Sequence, residues 1–210
     1  LLDTLDHGAF FHKVILLMLC MLLRQGFGSE KGAFEIYGDV MQILPLAMMA
    51  YSYAIDDMQG VKEQTLGAGV TLLSTHIIKQ GFILLADSYP SSARIYQRPN
   101  NGSFDGFPSG HTSWTFSAVG FSFKRYGWKF GLPTALIATS VGISRIYAQR
   151  HTTMQVIAGA ILGFGVSYLF ASKYDVAPPP VSVWIDRAGD NTLRLSYSLQ
   201  KDVLRVLLES

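Results

Sequence analysis

Two histidines, three cationic side chains and one glutamine are the residues here whose types and spacing could do chemistry together. Pro108-Ser109-Gly110-His111 stands at the edge of a long apolar run. Proline ends the preceding loop, and Ser109 is an N-cap candidate for the helix that follows. Gly110 lets backbone approach a ligand closely, and the free N–H groups of a helix start attract phosphate. His111 would stand at the lip of that cradle. The same four residues also suit an ordinary capped helix with a surface histidine. A second stretch runs from Ser144-Arg145 to His151 and Gln155. Its Arg145 guanidinium can fork onto phosphate oxygens. His151 and Gln155 are four apart, so on a helix they share a face. The amide can then accept from one ring nitrogen and leave the other free for attack.

Arg98-Pro99 and Lys79 supply the other cations. Lys79 lies inside the apolar stretch "LLSTHIIKQGFILLA". A charge there is expensive and marks a site, unless it snorkels to an interface. His76, three residues earlier, either lines the mouth of such a site or simply packs. Lys79, Arg98, Arg145 and the backbone at Ser109 and Gly110 would neutralise a phosphoryl group of about −1.5 to −2 charges. Two imidazoles with an ordinary pKa of about 6.5 would provide a nucleophile and a general acid. No carboxylate cluster or metal-spaced histidines appear, so the expected chemistry uses neither metal nor cofactor.

These residues must be positioned by apolar helices. Apolar residues make up 49% of the 210 and charged residues only 15%, well under the usual quarter. That composition favours a membrane protein, and a net charge of +2 gives no reason to expect nucleic acid as a partner. One cysteine, Cys20, excludes an internal disulfide. The absence of an opening methionine fits a processed or trimmed product. Spanning a bilayer takes about 20 mostly apolar residues. Phe10–Leu23, Val40–Ile55, Thr65–Ala86, Thr112–Phe123, Phe130–Ile146 and Met154–Phe170 approach that length. We expect six spans, the first also readable as a secretory signal. Gly159 and Gly163 are four apart, which suits a helix-packing face. Counting spans puts residues 25–38, 87–108 and 144–151 on one side. Lys124, Arg125, Lys129 and Lys173 flank the other side, which then reads as cytoplasmic, while Arg94, Arg98, Arg145 and Arg150 break the bias on the first side and want an explanation other than topology.

From Tyr174 the character changes. "YDVAPPP" reads as a stiff linker. "VSVWID" and "TLRLSYSL" alternate around the turn "RAGDN", a β-hairpin pattern, and "KDVLRVLLES" reads as a short amphipathic piece. Two domains are expected: residues 1–173 in the membrane and residues 174–210 as linker, hairpin and short helix.

Arg98-Pro99, Pro108–His111 and Ser144-Arg145 with His151 together resemble the type 2 phosphatidic acid phosphatase superfamily. "SFDGFPSGHTSWTF" and "SRIYAQRHTTMQVIAGAILG" look like its bacterial members, and the likeness covers roughly residues 38 to 170. It implies an all-α fold, a six-helix transmembrane bundle with the C-terminal hairpin as an extension. It implies a membrane lipid phosphatase in which His151 forms a phosphohistidine. His111 then protonates the leaving oxygen and later activates water, while Arg98, Arg145, Ser109 and Gly110 hold the phosphoryl oxygens. The expected partners are a lipid phosphate and the bilayer. The expected location is a bacterial inner membrane with the site facing the periplasm. Phosphatidate, phosphatidylglycerophosphate, undecaprenyl diphosphate and lipid A phosphates are the candidate substrates. The sequence departs from the family pattern twice. The usual lysine, seven residues before the arginine, is Ser91 here; we assign its role to Lys79 across a loop insertion, with Arg94 as fallback. The usual aspartate four residues after the nucleophile is Gln155. The alternatives are a lipid phosphotransferase and a non-catalytic lipid-phosphate-binding relative.

Overall fold

A computed structural model describes residues 32–89 and 91–174, together with the backbone of two later strands. By contacts the chain divides into two units, Leu1–Lys173 and Tyr174–Ser210. In the described part of the first unit all regular structure is helical. Its elements are α1 (Ala33–Val40), a 3-10 turn at Met41–Ile43, α2 (Leu44–Ala54), α3 (Met58–Ser88), a 3-10 turn at Ser92–Tyr96, α4 (Gly110–Tyr126), α5 (Trp128–Tyr147) and α6 (Thr153–Phe170). In the second unit, strands β1 (Val181–Ile185) and β2 (Leu193–Tyr197) pair antiparallel, with Val181 opposite Tyr197. The expected first span, Cys20, the proline linker, the hairpin turn and the C-terminal amphipathic piece lie outside the described residues.

The helices follow local signals. Asp57 caps α3 by accepting from the Gly60 N–H at 2.9 Å. Thr152 and Gln155 form a reciprocal capping box at the start of α6. Gly127 alone separates α4 from α5. α1 was not anticipated: it falls in the stretch read as a connection. Its eight residues are too few for an apolar period to stand out, and it is held by packing on α5.

α4 is the central helix. It packs against α6, α5, α3 and α2 and buries residues on every side, from Thr112 to Arg125. Ser113, Thr115 and Ser117 bond back to carbonyls one turn earlier, as Thr115 Oγ1 does to His111 O (2.9 Å) and Ser117 Oγ to Trp114 O (2.7 Å). Small side chains let α6 come close. A Cβ at Gly163 would overlap the Ser113 carbonyl, and one at Gly159 would lie 2.6 Å from the Ser109 carbonyl. Only glycine permits this spacing. The apolar core gathers Leu44, Met48, Ala118, Val119, Phe121 and Ala138. Trp114 Nε1 donates to the Gln42 carbonyl at 2.6 Å, fixing the first 3-10 turn on α4.

The outer faces are apolar. On α3, Leu66, Leu73, Ile77 and Leu84 are each more than half exposed, and on α6 so are Ile161 and Leu169. By length and composition, α3 and α6 are the described helices able to cross a membrane.

At the end of α4 away from His111, a buried charge network joins three segments. Arg125 forks onto Asp57, with Nε–Oδ2 at 2.5 Å, and Nη1 donates to Glu63 Oε2 at 2.9 Å. Tyr126 Oη donates to Asp57 Oδ2 at 2.7 Å, and the Ser172 N–H donates to Glu63 Oε2 at 2.9 Å. Replacing Arg125 by alanine strands two buried carboxylates. We expect a loss of about 3–5 kcal/mol of stability, read by denaturant unfolding in detergent, whereas Lys129→Ala, exposed at the start of α5, should change little.

Candidate active site

The start of α4, the end of α5, the start of α6 and the last third of α3 meet at one end of the bundle. Ser109 occupies the N-cap position of α4, but its hydroxyl does not cap the helix. It accepts from Thr112 Oγ1 at 3.0 Å instead, and the Ser109 N–H donates to the Gln155 carbonyl at 2.9 Å. The expected cap is therefore a helix-to-helix tie. A Cβ on Gly110 would meet Lys79 and Thr75 only at ordinary contact distance, 3.9 and 4.0 Å. Internal packing does not demand glycine there.

Each cation is held by an oxygen acceptor. Arg98 forks onto Asp105, Nε–Oδ1 at 2.7 Å and Nη2–Oδ2 at 2.8 Å. Lys79 Nζ donates to the Asp105 carbonyl, so one residue holds two cations. Burial alone would raise the Asp105 carboxyl, but the Arg98 fork and the Ser103 hydroxyl hold it at about 2. Arg145 donates to Asp39 Oδ1 at 2.7 Å and to the Glu35 carbonyl at 2.5 Å. Lys79 reaches the site across the long loop, whereas Arg94 stands exposed on the second 3-10 turn. His76 is exposed on α3 and does not join the cluster. One turn before Lys79, the Thr75 and Ser113 hydroxyls pair at 2.9 Å and fix α3 on α4.

His151 is buried, 3% exposed. The turn before it ends α5 with Gln149 at φ 53°, and the Arg150 and His151 N–H groups both return to the Arg145 carbonyl. His151 Nδ1 lies 2.9 Å from the Gly106 carbonyl and 3.2 Å from Gln155 Oε1. Both neighbours are acceptors, so Nδ1 carries the proton and Nε2 presents its lone pair. Gln155 Nε2 donates to the carbonyls of Gln97 (2.9 Å) and Ile95 (3.3 Å). Burial pushes the His151 imidazole down to about 3, and the positive charges of Arg98 and Lys79 push the same way. His111 lies 2.9 Å from Asp39 through Nε2.

Lys79, Arg98, Ser109, Gly110, His111, Arg145, His151 and Gln155 thus share one end of the bundle. Reading the sequence missed Asp39, Asp105, Glu35 and the Gly106 carbonyl. Asp39 fell at the junction between an assumed loop and an assumed span, and main-chain acceptors leave no signature in residue types. Among the described residues no histidine, cysteine and carboxylate group is arranged to hold a metal ion.

The fold and the site define a class: a helical bundle whose one end gathers two histidines and three cations around a helix start, suited to a phosphoryl group. The sequence model of the PAP2 superfamily matches residues 65–177, and the chain belongs to that superfamily. It is 37% identical over 149 residues to the lipid A 4'-phosphatase of Helicobacter pylori, covering 69% of this chain and 74% of the relative. It is 32% identical over 102 residues to a lipid A 1-phosphatase of the same species, 49% of this chain and 52% of that one. With the probable diacylglycerol pyrophosphate phosphatase 1 of Schizosaccharomyces pombe it shares 32% over 106 residues, 43% of this chain and 37% of the relative. No solved structure matches the chain significantly.

The buried, neutral His151 has a consequence for stability. Its pKa is about 3 when folded and about 6.5 when unfolded. As pH falls below 6.5 the unfolded chain takes up this proton and the folded chain does not. His151 therefore costs stability progressively from about pH 6.5 down to 3, by up to about 1.4 kcal/mol per pH unit. A His151→Gln variant should lose less stability on the acid side than wild type, measured by unfolding between pH 7 and 4.5. Nitrogen NMR of wild type should show His151 neutral throughout that range.

Proposed function

We propose that this protein is an integral-membrane lipid phosphate phosphatase working through a phosphohistidine on His151. The observation that carries the reading is the His151 ring, held through Nδ1 by Gly106 and Gln155 so that Nε2 is the basic nitrogen. In the first step Nε2 attacks phosphorus. The bond from phosphorus to the leaving oxygen breaks, and His111 gives that oxygen a proton. Lys79, Arg98, Arg145 and the N–H groups at Ser109 and Gly110 carry the negative charge of the phosphoryl oxygens. In the second step water attacks phosphorus, His111 takes a proton from it, and the N–P bond breaks, returning its electron pair to Nε2. The net reaction consumes one water and releases an alcohol and inorganic phosphate.

Among the four candidate substrates, likeness to a relative named lipid A 4'-phosphatase over most of both chains favours a lipid A phosphomonoester. The apolar outer faces support embedding in a bilayer. α3 and α6 are long and apolar enough to cross it; α5, at 20 residues, has the length, about 30 Å at 1.5 Å per residue. Exposed Trp128 and Tyr147 stand at its two ends, where aromatic side chains mark membrane interfaces. We read the whole chain as a six-span domain, residues 1–173, with a separate C-terminal hairpin domain, residues 174–210. The basic residues at the far end of the bundle favour a site facing the periplasm of a bacterial inner membrane.

Detergent-purified protein should release phosphate from lipid A in the presence of EDTA, and more slowly from phosphatidate, phosphatidylglycerophosphate and undecaprenyl diphosphate. His151→Ala should abolish release, and His111→Ala should slow it by about 10²–10⁴-fold. Full activity in both variants would end this reading. Vanadate binding without turnover in wild type would favour a non-catalytic binder, and phosphate delivered to a second lipid would favour a transferase.

A further inference from the structure

Asp39 lies on α1, upstream of the residues matched by the superfamily model. α1 is pressed onto the end of α5: a Cβ at Gly38 would collide with the Ser144 hydroxyl and the Arg145 guanidinium. Arg145 Nη2 donates to the Glu35 carbonyl, and Arg150 Nε donates to the Glu35 carboxylate at 2.8 Å. This seats the Asp39 carboxylate inside the site, its side chain 9% exposed. Oδ1 accepts from Arg145 Nη1 at 2.7 Å and stands 2.9 Å from His111 Nε2. We propose that Asp39 is the positioning residue that makes His111 the proton donor.

The two histidines have partners of different charge. His151 is held by an amide and a carbonyl, which accept its Nδ1 proton but add no negative charge. His111 is held by a carboxylate, which fixes the proton on Nε2 and stabilises the imidazolium. The charged groups facing His111 come from three segments: Asp39 on α1, Arg145 on α5 and Arg98 on the loop before α4. Burial and the two cations oppose protonation of the ring, and Asp39 is the group among these that favours it. With Nε2 engaged, Nδ1 is the nitrogen that trades a proton with the reacting oxygens. In the first step its proton passes to the leaving oxygen as the P–O bond breaks and the N–P bond to His151 forms. In the second, Nδ1 takes a proton from the attacking water as the N–P bond breaks. This assignment rests on the phosphohistidine reading above.

The test exploits the leaving group. A proton donor matters for an alkoxide and hardly matters for p-nitrophenolate, whereas Arg145 holds the phosphoryl oxygens of both substrates. Full-length Asp39→Asn, purified in detergent, would be compared with wild type in first-turnover release of alcohol from decyl phosphate and of p-nitrophenol from p-nitrophenyl phosphate. We expect a loss of about 10–100-fold on decyl phosphate and less than about threefold on p-nitrophenyl phosphate. The alkaline limb of the decyl phosphate profile should move to lower pH, and Asp39→Glu should recover part of the rate. Equal losses on both substrates would overturn the proposal, because a role exercised through Arg145 does not discriminate between leaving groups. An unchanged decyl phosphate rate in Asp39→Asn would overturn it as well. Wild-type release that persists in His151→Ala would instead refute the phosphohistidine reading, and the proposal with it.

Discussion

The Gln155 side chain must satisfy both acceptors and donors in a place closed to water, and the geometry of the site depends on its doing so. It is fully buried. Its nitrogen donates to the Ile95 and Gln97 carbonyls, and its oxygen accepts from the Thr152 N–H and His151 Nδ1. Its own main-chain carbonyl receives the Ser109 N–H. One residue therefore joins the loop that delivers Arg98, the nucleophile candidate, the cap of α6 and the start of α4. A carboxylate here could accept from His151 and Thr152. It could donate to neither loop carbonyl, and two buried carbonyl oxygens facing a negative charge would be costly. Glutamine rather than a carboxylate is thus the side chain that satisfies this loop conformation.

Asp105 does for two cations what Gln155 does for the loops. Its carboxylate aligns Arg98 and its carbonyl receives Lys79. Asp39 and the Glu35 carbonyl do the same for Arg145. Like charges gathered at one end of the bundle repel one another, and an acceptor bonded to each one offsets that repulsion. This explains how so many charges can be gathered in one place: each already has its partner. It also explains why the neutral His151 tolerates its surroundings, since an uncharged ring adds nothing to the repulsion.

Much of the candidate site was legible because it is built of distinctive residue types. Histidine, arginine and lysine are conspicuous in apolar surroundings, and the four-residue step from His151 to Gln155 is readable wherever a helix can be assumed. Lys79 could be picked out of its apolar stretch because charge there needs a reason. Other parts were not legible. The Gly106, Ile95 and Gln97 carbonyls act through main chain, which any residue supplies. Asp39 needed α1, and a helix of two turns held by tertiary contacts leaves little periodicity to read. Ser109 was rightly placed at the helix start but wrongly given a capping bond, because Thr112 one turn on competes for its hydroxyl. The apolar runs located the long helices yet understated α3, whose ends carry Asp57, Glu63 and Asp87 and fall outside any hydropathy window.

α4 is 17 residues long, about 25 Å at the helical rise, and is pinned at both ends by polar bonds of different kinds. At one end Arg125 locks α4 to the start of α3 and to Ser172 after α6. At the other, Ser109 is tied to Gln155 and Ser113 to Thr75. Between the pins, small residues bring α6 against α4 with no room for adjustment. Apolar faces turned outward gain nothing from one another in lipid, so hydrophobic burial alone would not set the depth of one helix against the next. Polar pins and glycine contacts are the terms left to do it. Because His111 sits on α4, Lys79 on α3 and His151 just before α6, the register fixed by these pins is also the register of the candidate site residues. Preorganisation of the site and assembly of the bundle are, in this protein, the same set of interactions.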